Sequence, residues 1–185
     1  VTSSISDIPV VSNAWAERLQ HRQQSQVPEL WDMLDVVNDP EVPALSLWDL
    51  GVLCDLHKDE HGKVTVWITP TYSGCPAIGT MQDDIEAELA RAGFNDYEVK
   101  TKLAPAWTTD WLSPEGRRKL REYGIAPPTQ SACGNASGLT PEFGVECPHC
   151  GSSDTKRLSE FGSTACKALF QCNDCHETFD YFKQI

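Results

Sequence analysis

The chain has 185 residues, with 15 basic and 27 acidic side chains, a formal net charge of −12 and a hydrophobic share of 40%. That composition supports one real core plus a small appendage, and the lack of any run of about 18 apolar residues excludes a membrane-spanning helix. So acidic a chain has too few Lys and Arg to neutralise phosphates, which argues against nucleic acid as a partner. Residues 1–11 have no basic start and no long apolar stretch, so no secretory signal is expected and a cytoplasmic location is. The acidity is concentrated: Glu29–Glu60 carries nine acids against the single base Lys58. Such a stretch reads first as a solvated face and second as a docking surface for a basic partner or a weak site for hard cations.

Residues 1–27 form a polar extension in which Ser12–Gln26 reads as a helix capped by Ser12 or Asn13. Trp15 and Leu19 share one face of it, and with little else apolar it is expected to pack lightly. A second helix starts near Pro28, with Leu30, Trp31, Leu34 and Val37 at helical spacing and Asn38-Asp39-Pro40 as its stop. Leu50–Leu56 reads as a strand with Leu50, Val52, Cys54 and Leu56 on one face. Lys58–Gly62 then makes a hairpin turn, and Lys63–Thr69 a second strand with Val64, Val66 and Ile68 buried, ended by Pro70. After the turn-rich loop Thr69–Pro76 comes a helix with Ile78, Met81, Ile85 and Leu89 as its stripe and Gly93 as its left-handed exit. Tyr97–Leu103 is a third strand, Pro105–Trp111 is irregular, and Ser113-Pro114-Glu115 starts a last helix that Gly124 ends. Residues 28–124 therefore form an α+β unit, a small mixed sheet with helices on one face. A Pro-, Gly- and Ser-rich linker over 125–145 joins it to a C-terminal module at 146–185.

Of the eight cysteines, Cys147, Cys150, Cys166, Cys172 and Cys175 fall in the last 39 residues. An even count allows disulfides, but Cys147-Pro148-His149-Cys150 and Cys172-Asn173-Asp174-Cys175 are two C-x-x-C knuckles, the spacing of a tetrahedral four-sulfur metal site. Gly151 follows the first knuckle where a positive φ is needed, and His176 takes the same place after the second. Structural zinc is the expected metal, with rubredoxin-like iron as the alternative, because geometry alone does not separate them. A metal also suits a module too small for a core of its own. Cys166, without a paired neighbour, is a possible extra thiol.

Cys75, in Ser73-Gly74-Cys75-Pro76, precedes a helix. A helix N-terminus lowers a thiol's pKa, which would make Cys75 a nucleophile or soft-metal ligand on an exposed loop. The competing reading is a small buried apolar residue. Asp39 and Glu41 can supply oxygen ligands or hold the Cys75 loop, although Asn38-Asp39-Pro40 already accounts for itself as a helix stop. Arg117-Arg118-Lys119-Leu120-Arg121 reads as a solvated helix face before an anion contact. No catalytic triad, phosphate loop or dinucleotide fingerprint is present.

Asp39-Pro40-Glu41, Asp49-Leu50-Gly51-Val52 and Thr69–Pro76 resemble the small domain of SufT-like iron–sulfur assembly factors. Trp107-Thr108-Thr109-Asp110-Trp111, the Ser113–Pro128 segment, Phe161–Lys167 and the knuckles together resemble the PaaD family, encoded with the phenylacetyl-CoA epoxidase of aerobic phenylacetate degradation. The resemblance implies an accessory role without activity of its own, beside a di-iron oxygenase and a reductase carrying flavin and a [2Fe–2S] cluster. It implies reductase or oxygenase subunits as partners and Cys75 as the family's reactive cysteine, passing on iron or a cluster transiently. A homodimer sharing a cluster stays open. The alternatives are a fixed structural subunit of the oxygenase, with zinc as a staple and Cys75 merely buried, and a rubredoxin-like electron carrier.

Overall fold

The computed structural model describes residues 12–128 and 140–185. In chain order the elements are α1 (Asn13–Gln23), α2 (Pro28–Leu34), α3 (Leu47–Leu50), β1 (Leu53–Lys58), β2 (Val64–Ile68), α4 (Ile78–Arg91) and β3 (Tyr97–Thr101). A 3-10 turn at Thr109–Trp111 leads to α5 (Pro114–Glu122), β4 (Ile125–Ala126), β5 (Thr155–Ser159), β6 (Lys167–Cys172) and β7 (Thr178–Phe182). None of the described helices is long and apolar enough to cross a membrane.

The first sheet has the order β1-β2-β3, antiparallel between β1 and β2 and parallel between β2 and β3. Asp59 closes the hairpin by accepting from the backbone N–H groups of His61 and Lys63, both at 2.9 Å, and Gly62 takes a φ of 88°. Val64, Val66 and Ile68 are fully buried, as expected, together with Met81, Ile85 and Leu89 of α4. The strand–helix–strand unit thus takes the arrangement its hydrophobic periods require.

The beginning of β1 departs from the expected alternation. Ser46 caps a short helix by accepting from the Asp49 N–H at 3.1 Å, and Leu50 belongs to that helix rather than to a strand. Gly51 ends it at φ 86°, and a bulge between Leu53 and Asp55 then resets the register. Leu53 and Leu56 are therefore the buried residues of β1, while Cys54 is half-buried and donates to Thr69 Oγ1 at 3.0 Å. A bulge leaves two residues facing one, so strict alternation fails across it. At the other edge β3 is shorter than expected, and Leu103 lies beyond it in an exposed position.

The N-terminal helix is tightly held, contrary to expectation. Ser12 caps it, accepting from the Trp15 N–H at 3.2 Å. Its inward residues are Trp15 and Arg18, and Leu19 is exposed. The Arg18 guanidinium sits 4.3 Å from the centre of the Trp48 ring and donates to the carbonyls of Trp48, Leu53 and Trp111. Trp48 in turn lies 5.2 Å from Trp15 and 5.3 Å from Trp31, centre to centre. A cation stacked on an aromatic face and bonded to carbonyls anchors a helix that has few apolar residues.

The second sheet has the order β4-β7-β6-β5. Its outer strand β4 precedes residues 129–139, and pairs in parallel with β7. Phe182 of β7 and Cys166 lie in the same buried cluster as the first sheet's core, whereas Ala168, Phe170, Cys172, Phe179 and Tyr181 form a smaller cluster of their own. Trp107 packs its ring 6.0 Å from that of Phe182, and Thr108 and Thr109 donate to the Ile185 carbonyl at 2.9–3.2 Å. The irregular Trp107–Trp111 tract is thus the clasp that holds the C-terminal sheet against the first unit.

Candidate functional site

The four knuckle cysteines converge. Their sulfurs all lie within 4.8 Å of one another, with Cys147 to Cys175 at 3.8 Å and Cys150 to Cys172 at 3.6 Å. A tetrahedron with metal–sulfur bonds of about 2.3 Å has edges of about 3.8 Å, so these sulfurs already stand where a four-coordinate ion holds them. The two knuckles repeat one hydrogen-bond pattern. Gly151 N–H donates to the Cys147 carbonyl at 2.9 Å and His176 N–H to the Cys172 carbonyl at 3.1 Å. Cys147 N–H donates to Ser152 O at 2.8 Å and Cys172 N–H to Glu177 O at 3.0 Å. Gly151 has φ 78° and His176 φ 65°, so both occupy the left-handed position expected of them. The backbone N–H groups of Cys175 and Asp174 hold the Cys172 thiol down to about 7. Ser152 N–H pulls Cys150 the same way, yet desolvation and the three neighbouring sulfurs push it up to about 12. Four sulfurs so close cannot all ionise without a cation among them, and the donor set fits one.

The Cys75 loop lies elsewhere: Cys75 belongs to the larger buried cluster, and the knuckles to the smaller one. Cys75 stands two residues before the Ala77 cap of α4, not in its first turn. It is 7% exposed, beneath the exposed residues Ser73, Gly74 and Pro76. The lowered pKa expected of a helix-terminal thiol is not found. Burial pushes the Cys75 thiol up; the Ala77 N–H opposes this, and the charges of Glu41, Asp39 and Cys166 add to it. Desolvation and nearby anions here outweigh the weak dipole of a helix that begins three residues on.

Asp39 and Glu41 bear on Cys75 through their charges, which raise its thiol. Asp39 is 4% exposed, and its Oδ1 accepts from the N–H groups of Glu41 at 2.8 Å and Val42 at 2.7 Å, so it holds its own turn. Burial raises the Asp39 carboxyl despite those donors; burial and then Asp39 raise that of Glu41. Cys166, from the C-terminal half, lies in the same large buried cluster as Cys75, and its charge also bears on that thiol. It is 5% exposed and shares a 3.0 Å hydrogen bond with Thr164 Oγ1. Beside it Lys167, only 3% exposed, sends its ammonium to the Glu41 carbonyl at 3.4 Å and lies 3.9 Å from Asp180 Oδ2. Periodicity gives no sign of this buried lysine; the one signal is that Phe161–Lys167 belongs to the stretches carrying the family resemblance.

The other candidates are structural. Asp49 accepts from Ser113 Oγ at 2.5 Å and from Lys119 Nζ at 2.6 Å, tying α3 to α5. Arg117 donates to the carbonyls of Thr109 and Pro128, Arg118 pairs with Glu115 and Glu122, and Arg121 pairs with Glu146. That basic run is therefore spoken for within the chain. The seven described cysteines are all free thiols, and Cys133 lies outside the described residues.

Comparison with known proteins places both halves. Residues 132–183 match the PaaD zinc beta ribbon domain and residues 28–100 match the iron–sulfur cluster assembly protein family. The chain is 46% identical over 169 residues to a subunit of the "Putative 1,2-phenylacetyl-CoA epoxidase" of Escherichia coli (strain K12), covering 91% of this chain and 99% of that one. It is 30% identical over 89 residues to an Fe-S protein maturation auxiliary factor of Porphyromonas gingivalis, covering 48% of this chain and 84% of that one. A solved Bacillus anthracis structure of a DUF59 domain aligns with 95% of its length and 57% of this chain, at a TM-score of 0.48 and 24% identity. With an iron–sulfur assembly domain followed by a PaaD zinc ribbon, and a relative matched over nearly its whole length, the chain belongs to the PaaD family of phenylacetyl-CoA epoxidase subunits.

Proposed function

We propose that the protein is an accessory factor of the phenylacetyl-CoA epoxidase system in the cytoplasm, and that it supports maturation of the iron–sulfur cluster of the reductase component. The observation that carries the reading is Cys75 itself: a thiol beneath the exposed residues Ser73, Gly74 and Pro76, coupled electrostatically to Glu41, Asp39 and Cys166, in a domain of the iron–sulfur assembly family. Iron or a cluster is cargo here. A soft thiolate takes it, the hard carboxylates favour a ferrous ion, and the raised proton affinity of Cys75 makes the thiol a ready leaving ligand when the cargo passes on. Structural zinc in the ribbon, held by Cys147, Cys150, Cys172 and Cys175, keeps the C-terminal half folded against the assembly domain.

Burial of Cys75 favours a second reading, in which the protein is a fixed subunit of the oxygenase and the thiol only packs. Anaerobic reconstitution of the full chain with ferrous iron and sulfide separates the two. The maturation reading expects iron beyond the ribbon metal, with charge-transfer absorption that is lost in Cys75→Ser. Equal uptake by wild type and Cys75→Ser would leave the fixed-subunit reading in its place.

A further inference from the structure

A cleft of about 260 Å³ opens between α1 and the tract that follows β3. Ala14 and Arg18 line it from α1, Lys102, Pro105 and Trp111 from the tract, and Cys54 and Thr69 from the first sheet. Cys54 and Thr69 lie within residues 28–100, the stretch that matches the assembly family, whereas the two sides lie outside it. We infer that this cleft binds the carboxylate of a small organic acid, held by Lys102 and the unspent N–H groups of Arg18, with the acid's apolar body against Pro105 and Trp111.

Charge and unspent donors select that ligand. Acids outnumber bases 27 to 15 in this chain, yet neither cation of the cleft forms an ion pair among the described residues. A guanidinium has five N–H donors. Arg18 gives one from Nη1 to the Trp111 carbonyl and two from Nη2 to those of Trp48 and Leu53. Nε–H and the second Nη1 hydrogen take no acceptor among the described residues. All three acceptors are neutral, so the charge is hydrogen-bonded and stacked on Trp48 but not balanced by an anion. Burial accordingly pushes the Arg18 guanidinium down to about 10. The Lys102 backbone N–H is fixed on the Ile68 carbonyl at 2.8 Å, which sets where its exposed side chain leaves the sheet. Glu17 at the rim is exposed and pairs with neither cation, and His21 is spent on Asp55 at 2.8 Å. A carboxylate brought here gains charge-assisted hydrogen bonds at a place where the chain supplies no counter-ion. The carbon surface of Ala14, Pro105 and Trp111 favours an organic acid over an inorganic anion. Small-molecule pockets usually enclose about 300 Å³ or more, so the acid is a small one, of the order of hexanoate. Bound there, it would bridge α1 to the tract that carries the Trp107–Trp111 clasp.

Isothermal titration of the zinc-loaded full chain with sodium hexanoate tests the site. Wild type should bind it, and bind hexanamide and inorganic phosphate at least about tenfold more weakly, the loss expected without the charge or without the apolar body. Lys102→Gln, at an exposed position, should weaken hexanoate at least about fivefold. Ala14→Trp fills the cleft and should abolish binding, with retained zinc and an unchanged melt certifying the fold. Hexanoate should also slow alkylation of Cys54 by iodoacetamide, read by peptide mapping. No hexanoate binding by wild type overturns the inference, as does hexanamide or phosphate binding as tightly as hexanoate. Affinity unchanged in both variants would put hexanoate elsewhere and equally overturn it. Should Ala14→Trp fail to fold, Cys54 decides: protection by hexanoate in wild type supports the cleft, and its absence overturns it.

Discussion

Cys75 shows how two local effects compete and which wins. Its place before α4 argues for a thiolate, but burial and the charges of Glu41 and Asp39 keep it protonated. The folded thiol has a raised pKa, so the stability linked to it is present below the ordinary thiol value and is lost as pH rises through the folded one. Wild type should therefore lose melting temperature above pH 9 more steeply than Cys75→Ser, and parallel melts against pH check this. His176 is a second residue whose role is plain. At φ 65° it bears a left-handed cost that Gly151, at φ 78° in the sister knuckle, does not. His176→Gly should stabilise the ribbon by about 0.5–1 kcal/mol, read as a higher denaturant midpoint with zinc bound. A lower midpoint would mean that the imidazole makes contacts worth more than the backbone relief.

Among the elements, α3 and α1 are the least legible from sequence, and for related reasons. Leu50, Val52, Cys54 and Leu56 alternate as a strand does, but Ser46 and Gly51 are the cap and stop of a one-turn helix. Apolar alternation over so short a run carries no information about which period applies. Gly51 has a second duty, since a Cβ there would lie 2.7 Å from the Cβ of Trp111. Gly51→Ala should cost about 2–4 kcal/mol, combining backbone strain with overpacking, seen as a lower urea midpoint. In α1, the reading by apolar spacing selects Trp15 and Leu19 and misses Arg18, because a guanidinium that satisfies itself on carbonyls and an indole face is invisible to hydropathy. Arg18→Met should leave three carbonyls poorly paired and release the helix, with a cost of about 2–4 kcal/mol and a shift in tryptophan emission from Trp15 and Trp48. By contrast β2, α4 and both knuckles follow the sequence closely, since each is dictated by local period or spacing.

At the level of the whole molecule, the two halves are more closely joined than the polar stretch between them suggests. Strand β4 reaches into the ribbon's sheet, and Phe182 and Cys166 reach back into the first unit's core. Contacts of this kind are long-range in sequence, so no window of residues reveals them; the Thr108-Thr109 clasp becomes intelligible only once Ile185 is seen against it. Zinc removal should therefore do more than melt the ribbon. With the metal stripped by a chelator, Cys75 should react with iodoacetamide far faster than in the zinc-loaded protein, because it is buried in a cluster that Cys166 and Phe182 of the C-terminal half help to build. An unchanged Cys75 rate would show the halves to be energetically independent. The central claim is that Cys75 serves the iron–sulfur cluster of the epoxidase reductase, and the most direct measurement is the iron and acid-labile sulfide content of that reductase. It is purified from cells making either the wild-type protein or Cys75→Ser at equal level and equal zinc content. The account predicts a reductase that keeps its flavin but is depleted of cluster when made beside Cys75→Ser; an equally loaded reductase in both would contradict it.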